Sequence, residues 1–157
     1  MIMSYWLWVL VLAATPIVEL RGAFPLAYFY YHMPWESAFA LSVIGNLLPV
    51  PFILWLLPVT EKYLRRVSVF DSFFNWLFAR THRKAEGTIN AWGLIGLAIF
   101  VAVPFPVTGA WTGSLAAYLF GLKKLPALLS IIAGVLIAGT IVAAICVTGK
   151  WLWLIGK

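Results

Sequence analysis

Apolar positions run almost unbroken over residues 5–14, 22–31 and 38–57, and again over 91–103, 110–120 and 125–148. A helix that crosses a bilayer needs about 20 apolar residues, roughly 30 Å at 1.5 Å each. Residues 38–57 and 125–148 reach that length. The other four pieces are about half as long and come in two pairs. The first pair is divided by Thr15-Pro16-Ile17-Val18-Glu19-Leu20-Arg21-Gly22-Ala23-Phe24-Pro25, the second by Pro104-Phe105-Pro106-Val107-Thr108-Gly109. Proline and glycine at such places interrupt a helix. Neither member of a pair spans alone, so each pair predicts a broken span or a re-entrant hairpin that dips into the membrane and returns. The span at 38–57 also carries Asn46 and Pro49-Val50-Pro51, which predict an interruption there.

Broken segments at matching places in two halves are the pattern of inverted-repeat transporters. Gly22-Ala23-Phe24 and Gly109-Ala110-Trp111 stand just after their respective breaks. The expected architecture is an all-α integral membrane protein, a single domain made of two inverted repeats, 1–58 and 91–157. Each repeat is a re-entrant helical hairpin followed by a transmembrane helix. Residues 59–90 join them as an amphipathic cytoplasmic helix, on which Tyr63, Val67, Phe70, Phe74 and Leu77 recur at helical spacing. Lys62, Arg65, Arg66, Arg80, Arg83 and Lys84 place this linker on the cytoplasmic side. With both hairpins re-entrant, Lys123 and Lys124 join them, so eight of the eleven basic residues share one face and both termini lie on the other. Were the second pair a single full broken span, those two lysines would face outward; a six-span bundle is the plain alternative to the hairpins.

Composition agrees with the pattern. The 157 residues are 64% hydrophobic and 10% charged, with nine Trp, six Tyr and eleven Phe. Soluble domains are about half apolar and a quarter charged. A net charge of +6 is explained by topology rather than by a nucleic-acid partner. The single Cys146 lies in an apolar run and forms no intramolecular disulfide. No phosphate loop, metal-spaced cluster or nucleophile–base pair is present, so neither an enzyme nor a cofactor is expected.

The candidate chemistry lies at the breaks. Charge at membrane depth costs several kcal/mol unless paired or wet, so Glu19 and Arg21 mark a transport or headgroup site. The Arg21 fork suits carboxylate or phosphate. Gly22 and Gly109 let a ligand approach the backbone, and helices beginning beside them would aim N–H groups at the same anion. Thr108 supplies a hydroxyl. Glu19 is the candidate coupling group, exchanging its Arg21 partner for a proton. Asn46, with carbonyls freed by Pro49 and Pro51, is a second candidate for H⁺ or Na⁺. The alternative is structural: Glu19 and Arg21 neutralise each other, and Asn46 bonds its own helix. Pro16, Pro25, Pro49, Pro51, Pro104 and Pro106 are the expected breaks.

Three motifs in order, Glu19-Leu20-Arg21-Gly22-Ala23-Phe24-Pro25, Gly45-Asn46 with Pro49-Val50-Pro51, and Pro106-Val107-Thr108-Gly109-Ala110-Trp111-Thr112-Gly113, resemble those of the small multidrug export proteins within the DedA/VTT superfamily. The resemblance spans nearly the whole chain. It implies two re-entrant hairpins, each followed by a transmembrane helix, and proton- or sodium-coupled transport. It also implies kinship with proteins that handle polyprenyl-phosphate carriers and phospholipids. Unlike DedA proteins proper, the second break here has Thr108 and no basic residue.

The expected function is ion-coupled transport or flipping of an anionic, phosphate-bearing lipid or amphiphile in the plasma (inner) membrane. The partners are membrane lipids, and a homodimer is compatible with so small a chain. Proton-coupled export of cationic drugs through Glu19 is the first alternative. A non-transporting assembly or lipid-scaffold protein is the second.

Overall fold

The computed structural model describes residues 2–64, 68–103 and 108–155. Helix α1 (Ile2–Ala14) stops because Pro16 has no N–H to continue the ladder. Thr15 replaces the missing turn: its hydroxyl donates to Leu12 O at 2.7 Å and accepts from Val18 N at 3.4 Å. Helix α2 (Glu19–Pro25) follows and widens into a π turn at Leu26–Tyr30. Pro25, expected to break the chain, therefore loosens it from α to π, since it cannot donate to the preceding turn.

Helix α3 (Trp35–Leu47) passes into α4 (Pro49–Leu64) through Leu48 alone, which keeps helical angles of −52° and −47°. The interruption expected at Pro49-Val50-Pro51 is thus hardly one. Both prolines fall in the first turn of α4, where no backbone donor is required. Helix α5 (Ser68–Ala102) joins the linker to the first apolar piece of the second half and turns a corner at Gly93. The backbone there, φ 54° and ψ −121°, strongly favours glycine. Helices α6 (Ala110–Leu119) and α7 (Lys124–Ile155) complete the chain. Pro104 and Pro106 lie outside the described residues.

Among the described residues, three helical stretches are long and apolar enough to cross a membrane: Trp35–Tyr63, Phe74–Ala102 and Lys124–Lys150. The second attains its length only across the Gly93 corner. The outward faces are apolar, with Leu7, Phe52, Ile95, Leu125 and Ile145 all exposed. A surface of that kind faces lipid.

The two halves pack alike. Helix α1 lies on α3 as α5 lies on α7, and the short α2 and α6 cross over, α2 onto α7 and α6 onto α4. One close approach is shared by the two halves. A Cβ at Gly45 would stand 2.5 Å from Leu10 O and 2.7 Å from Ala13 Cβ. One at Gly134 would stand 2.7 Å from both Ala98 O and Val101 Cβ. In each case a glycine of the long helix admits a backbone carbonyl and a side chain three residues further on in the broken one. The crossed packing brings Glu19 and Arg21 of the first break beside Val103, Thr108 and Gly109 at the second.

Candidate functional site

Glu19 opens α2 with a left-handed φ of 50°, which costs a non-glycine residue about 1 kcal/mol or more. Its side chain is only 8% exposed. The carboxylate leaves its own half and reaches the start of α6, where Oε1 accepts from Trp111 N at 3.5 Å. A side chain at Gly109 would collide with that carboxylate. The free N–H groups and positive dipole end of α6 are therefore faced by an anion belonging to the chain itself.

Arg21 turns to the other side of the same break. Its guanidinium donates to Val101 O at 3.3 Å, Val103 O at 2.9 Å, Thr108 Oγ1 at 3.3 Å and the carbonyl of Thr108. Val101 and Val103 stand at the C-terminal end of α5, where unpaired carbonyls and the negative dipole end favour a cation. The Thr108 hydroxyl closes the arrangement by donating to Val103 O at 2.7 Å. Two charges from the first half thus stand on the two helix ends that flank the break of the second half, each with the sign its helix end attracts.

The second half reciprocates. Trp111 Nε1 donates to Ala14 O at 3.0 Å, and Ala14 is the last residue of α1. Each break is bound by a side chain from just past the other one. Trp111 carries no sequence signal for this role, because its partner is 97 residues away and reached only by the crossing of α2 and α6.

Of the residues expected to bind substrate, Arg21, Thr108 and Gly109 meet here together with Glu19. Gly22 does not offer a free donor: it lies a turn into α2, with its N–H bonded to Val18 O at 3.0 Å. Its glycine is needed because a Cβ would stand 2.6 Å from Val18 Cγ1. Asn46 lies on α3, one turn from Ser42, and both are buried. Among the described residues neither Asn46 Oδ1 nor Ser42 Oγ has a hydrogen-bond partner. Buried oxygens in that state are uncommon in folded proteins.

The sequence matches the family model "Putative small multi-drug export protein" over residues 19–141. The chain belongs to this family. The match begins at Glu19 and contains both crossing points, the α3–α4 span and most of α7. No curated protein and no solved structure matches the chain. For a member of a multi-drug export family the surface beside the breaks is of direct interest. A cavity of about 640 Å³ opens there between α4, α5 and α6. Its inner wall is Pro16, Trp111 and Thr112, its apolar flank includes Phe52 and Leu56, and α5 contributes Trp76 and Arg80. Arg80 was expected only as one of six basic residues orienting the linker. It is the one charged side chain among the described residues that line this cavity.

Proposed function

We propose that the protein is an ion-coupled secondary transporter or flippase that moves an anionic, phosphate-bearing amphiphile across the inner membrane. The observation that carries this reading is the meeting of two interrupted helices, the second held by buried Glu19 and half-buried Arg21 of the first half, the first by Trp111 of the second. Irregular backbone of this kind is tolerated at membrane depth where it lines a protein-enclosed or wet site. Family membership supports transport, and the match between the halves supports an inverted repeat with two alternating arrangements.

Element lengths support re-entrant hairpins. The thirteen residues of α1 reach about 20 Å and the ten of α6 about 15 Å, both short of a roughly 30 Å core. With the basic linker on the cytoplasmic side, the hairpins enter from opposite faces and both termini lie outside.

The site has a coupling scheme built into it. The substrate anion and the Glu19 carboxylate compete for the α6 N-terminus. Protonation of Glu19 removes its charge and releases the Trp111 N–H, so a phosphate group takes its place. Arg21 follows by exchanging backbone carbonyls for phosphate oxygens. One proton and one anion therefore enter together, and the crossed bonds that hold the breaks shut are released in the same step. The unpartnered oxygens of Ser42 and Asn46 offer a place for Na⁺ as the coupling ion instead.

Leaflet redistribution of a fluorescent acidic phospholipid in vesicles tests the proposal. Vesicles containing the protein should equilibrate the lipid at least about tenfold faster than empty ones. Rates no faster than in empty vesicles, for this lipid and for a single-chain phosphate amphiphile alike, would refute it.

A further inference from the structure

We propose that the cavity between α4, α5 and α6 is a lateral binding site for a single-chain anionic amphiphile, with Arg80 rather than Arg21 as its first headgroup contact. A volume of about 640 Å³ is in the range of small-molecule sites and suits an alkyl chain. The lining offers both parts that such a ligand needs. Phe52, Ile53, Leu56, Leu77 and Leu115 offer hydrocarbon. Thr60 of α4 and Arg80 and Thr81 of α5 are its polar lining residues beside Thr112 of α6.

Charge decides the class of headgroup. No carboxylate lines the cavity among the described residues, and Arg80 has none of theirs within ion-pair distance. Its guanidinium lies 5.4 Å from the centroid of the Trp76 ring, a stacking that orients the fork and leaves its edge donors for a ligand. Arg21, in contrast, is engaged with the carbonyls of Val101, Val103 and Thr108. A cationic amphiphile would meet a like charge and no carboxylate among the described residues here. An anionic one gains a charge-assisted hydrogen bond.

The inner wall adds a direction. Trp111 and Thr112 begin α6, and Pro16 belongs to the first break, so a ligand in the cavity already touches the two elements whose separation opens the site. This last point rests on the transport reading. Binding itself does not.

The test uses bromoundecyl phosphate, whose bromine quenches nearby tryptophans, with the whole protein in nanodiscs of zwitterionic lipid. Trp76 and Trp111 line the cavity and report its occupancy. Quenching by the phosphate should saturate, bromoundecanol should bind about tenfold more weakly, and the trimethylammonium analogue should not saturate. Arg80→Ala should weaken the phosphate about tenfold, to the level of the alcohol, whereas Arg80→Lys should retain part of the difference. Equal affinity for phosphate and alcohol, or an unchanged affinity in Arg80→Ala of intact thermal stability, would overturn the proposal. Saturable, Arg80-dependent binding in a protein that moves no lipid would uphold this site and refute transport; lipid movement without such binding would do the reverse.

Discussion

The Glu19 carboxylate occupies the space that a side chain at residue 109 would need. One residue belongs to the first break and the other to the second, and the contact is possible only because α2 and α6 cross between the halves. Gly109→Ala should therefore expel Glu19 from the α6 N-terminus, lowering stability by about 1–3 kcal/mol and stopping transport. Glu19→Ala with Gly109→Ala should cost less than the sum of the two, because the collision is then gone. Denaturant unfolding of the four proteins in a double-mutant cycle measures this coupling.

Arg21 contacts backbone oxygens on both sides of the second break, a geometry that needs a planar fork. Arg21→Lys keeps the charge yet reaches fewer of them, and should destabilise the protein by about 2 kcal/mol. Were charge alone important, lysine would rescue Arg21→Met in full. Thermal unfolding of the three proteins decides between a fork and a point charge.

The Trp111 indole makes the reciprocal bond to Ala14 O. Trp111→Phe retains most of the ring volume and loses only that donor, which should cost about 1 kcal/mol. Hydrogen exchange should then show earlier opening at the end of α1 than in the wild type, although the substitution is in α6.

Lys123 stands between α6 and α7, where the re-entrant and full-span readings differ in sign. With Cys146 replaced by alanine, a cysteine at position 123 should be labelled by a membrane-impermeant reagent from the cytoplasmic side only. Labelling from the outer side alone would replace the second hairpin with a full span.

What was legible in the sequence was whatever a local rule controls. Pro16 ends α1 because a missing N–H acts on its own helix, and the lengths of the apolar runs are equally local. Pro49 and Pro51 misled because proline interrupts a helix only beyond its first turn, and the restart at Pro49 cannot be read from spacing. The expected N–H groups at Gly22 are consumed by α2 itself, which starts three residues earlier. The pair Glu19 and Arg21 was recognisable as important from charge at depth. Its partners were not, because α5 and α6 are some 80–90 residues away and crossing is a tertiary fact. Arg80 was hidden among five other basic residues of the linker until the cavity singled it out.

The central claim is that Glu19 exchanges the α6 N-terminus for a proton when an anion binds. The most direct measurement is uptake of an anionic amphiphile into proteoliposomes under an imposed pH gradient, for wild type and Glu19→Gln. The account predicts gradient-driven accumulation in the wild type. It predicts only downhill, gradient-independent movement in Glu19→Gln, with unfolding behaviour showing the variant still folded. Accumulation that responds equally to the gradient in both proteins would contradict it, and would place coupling elsewhere than Glu19.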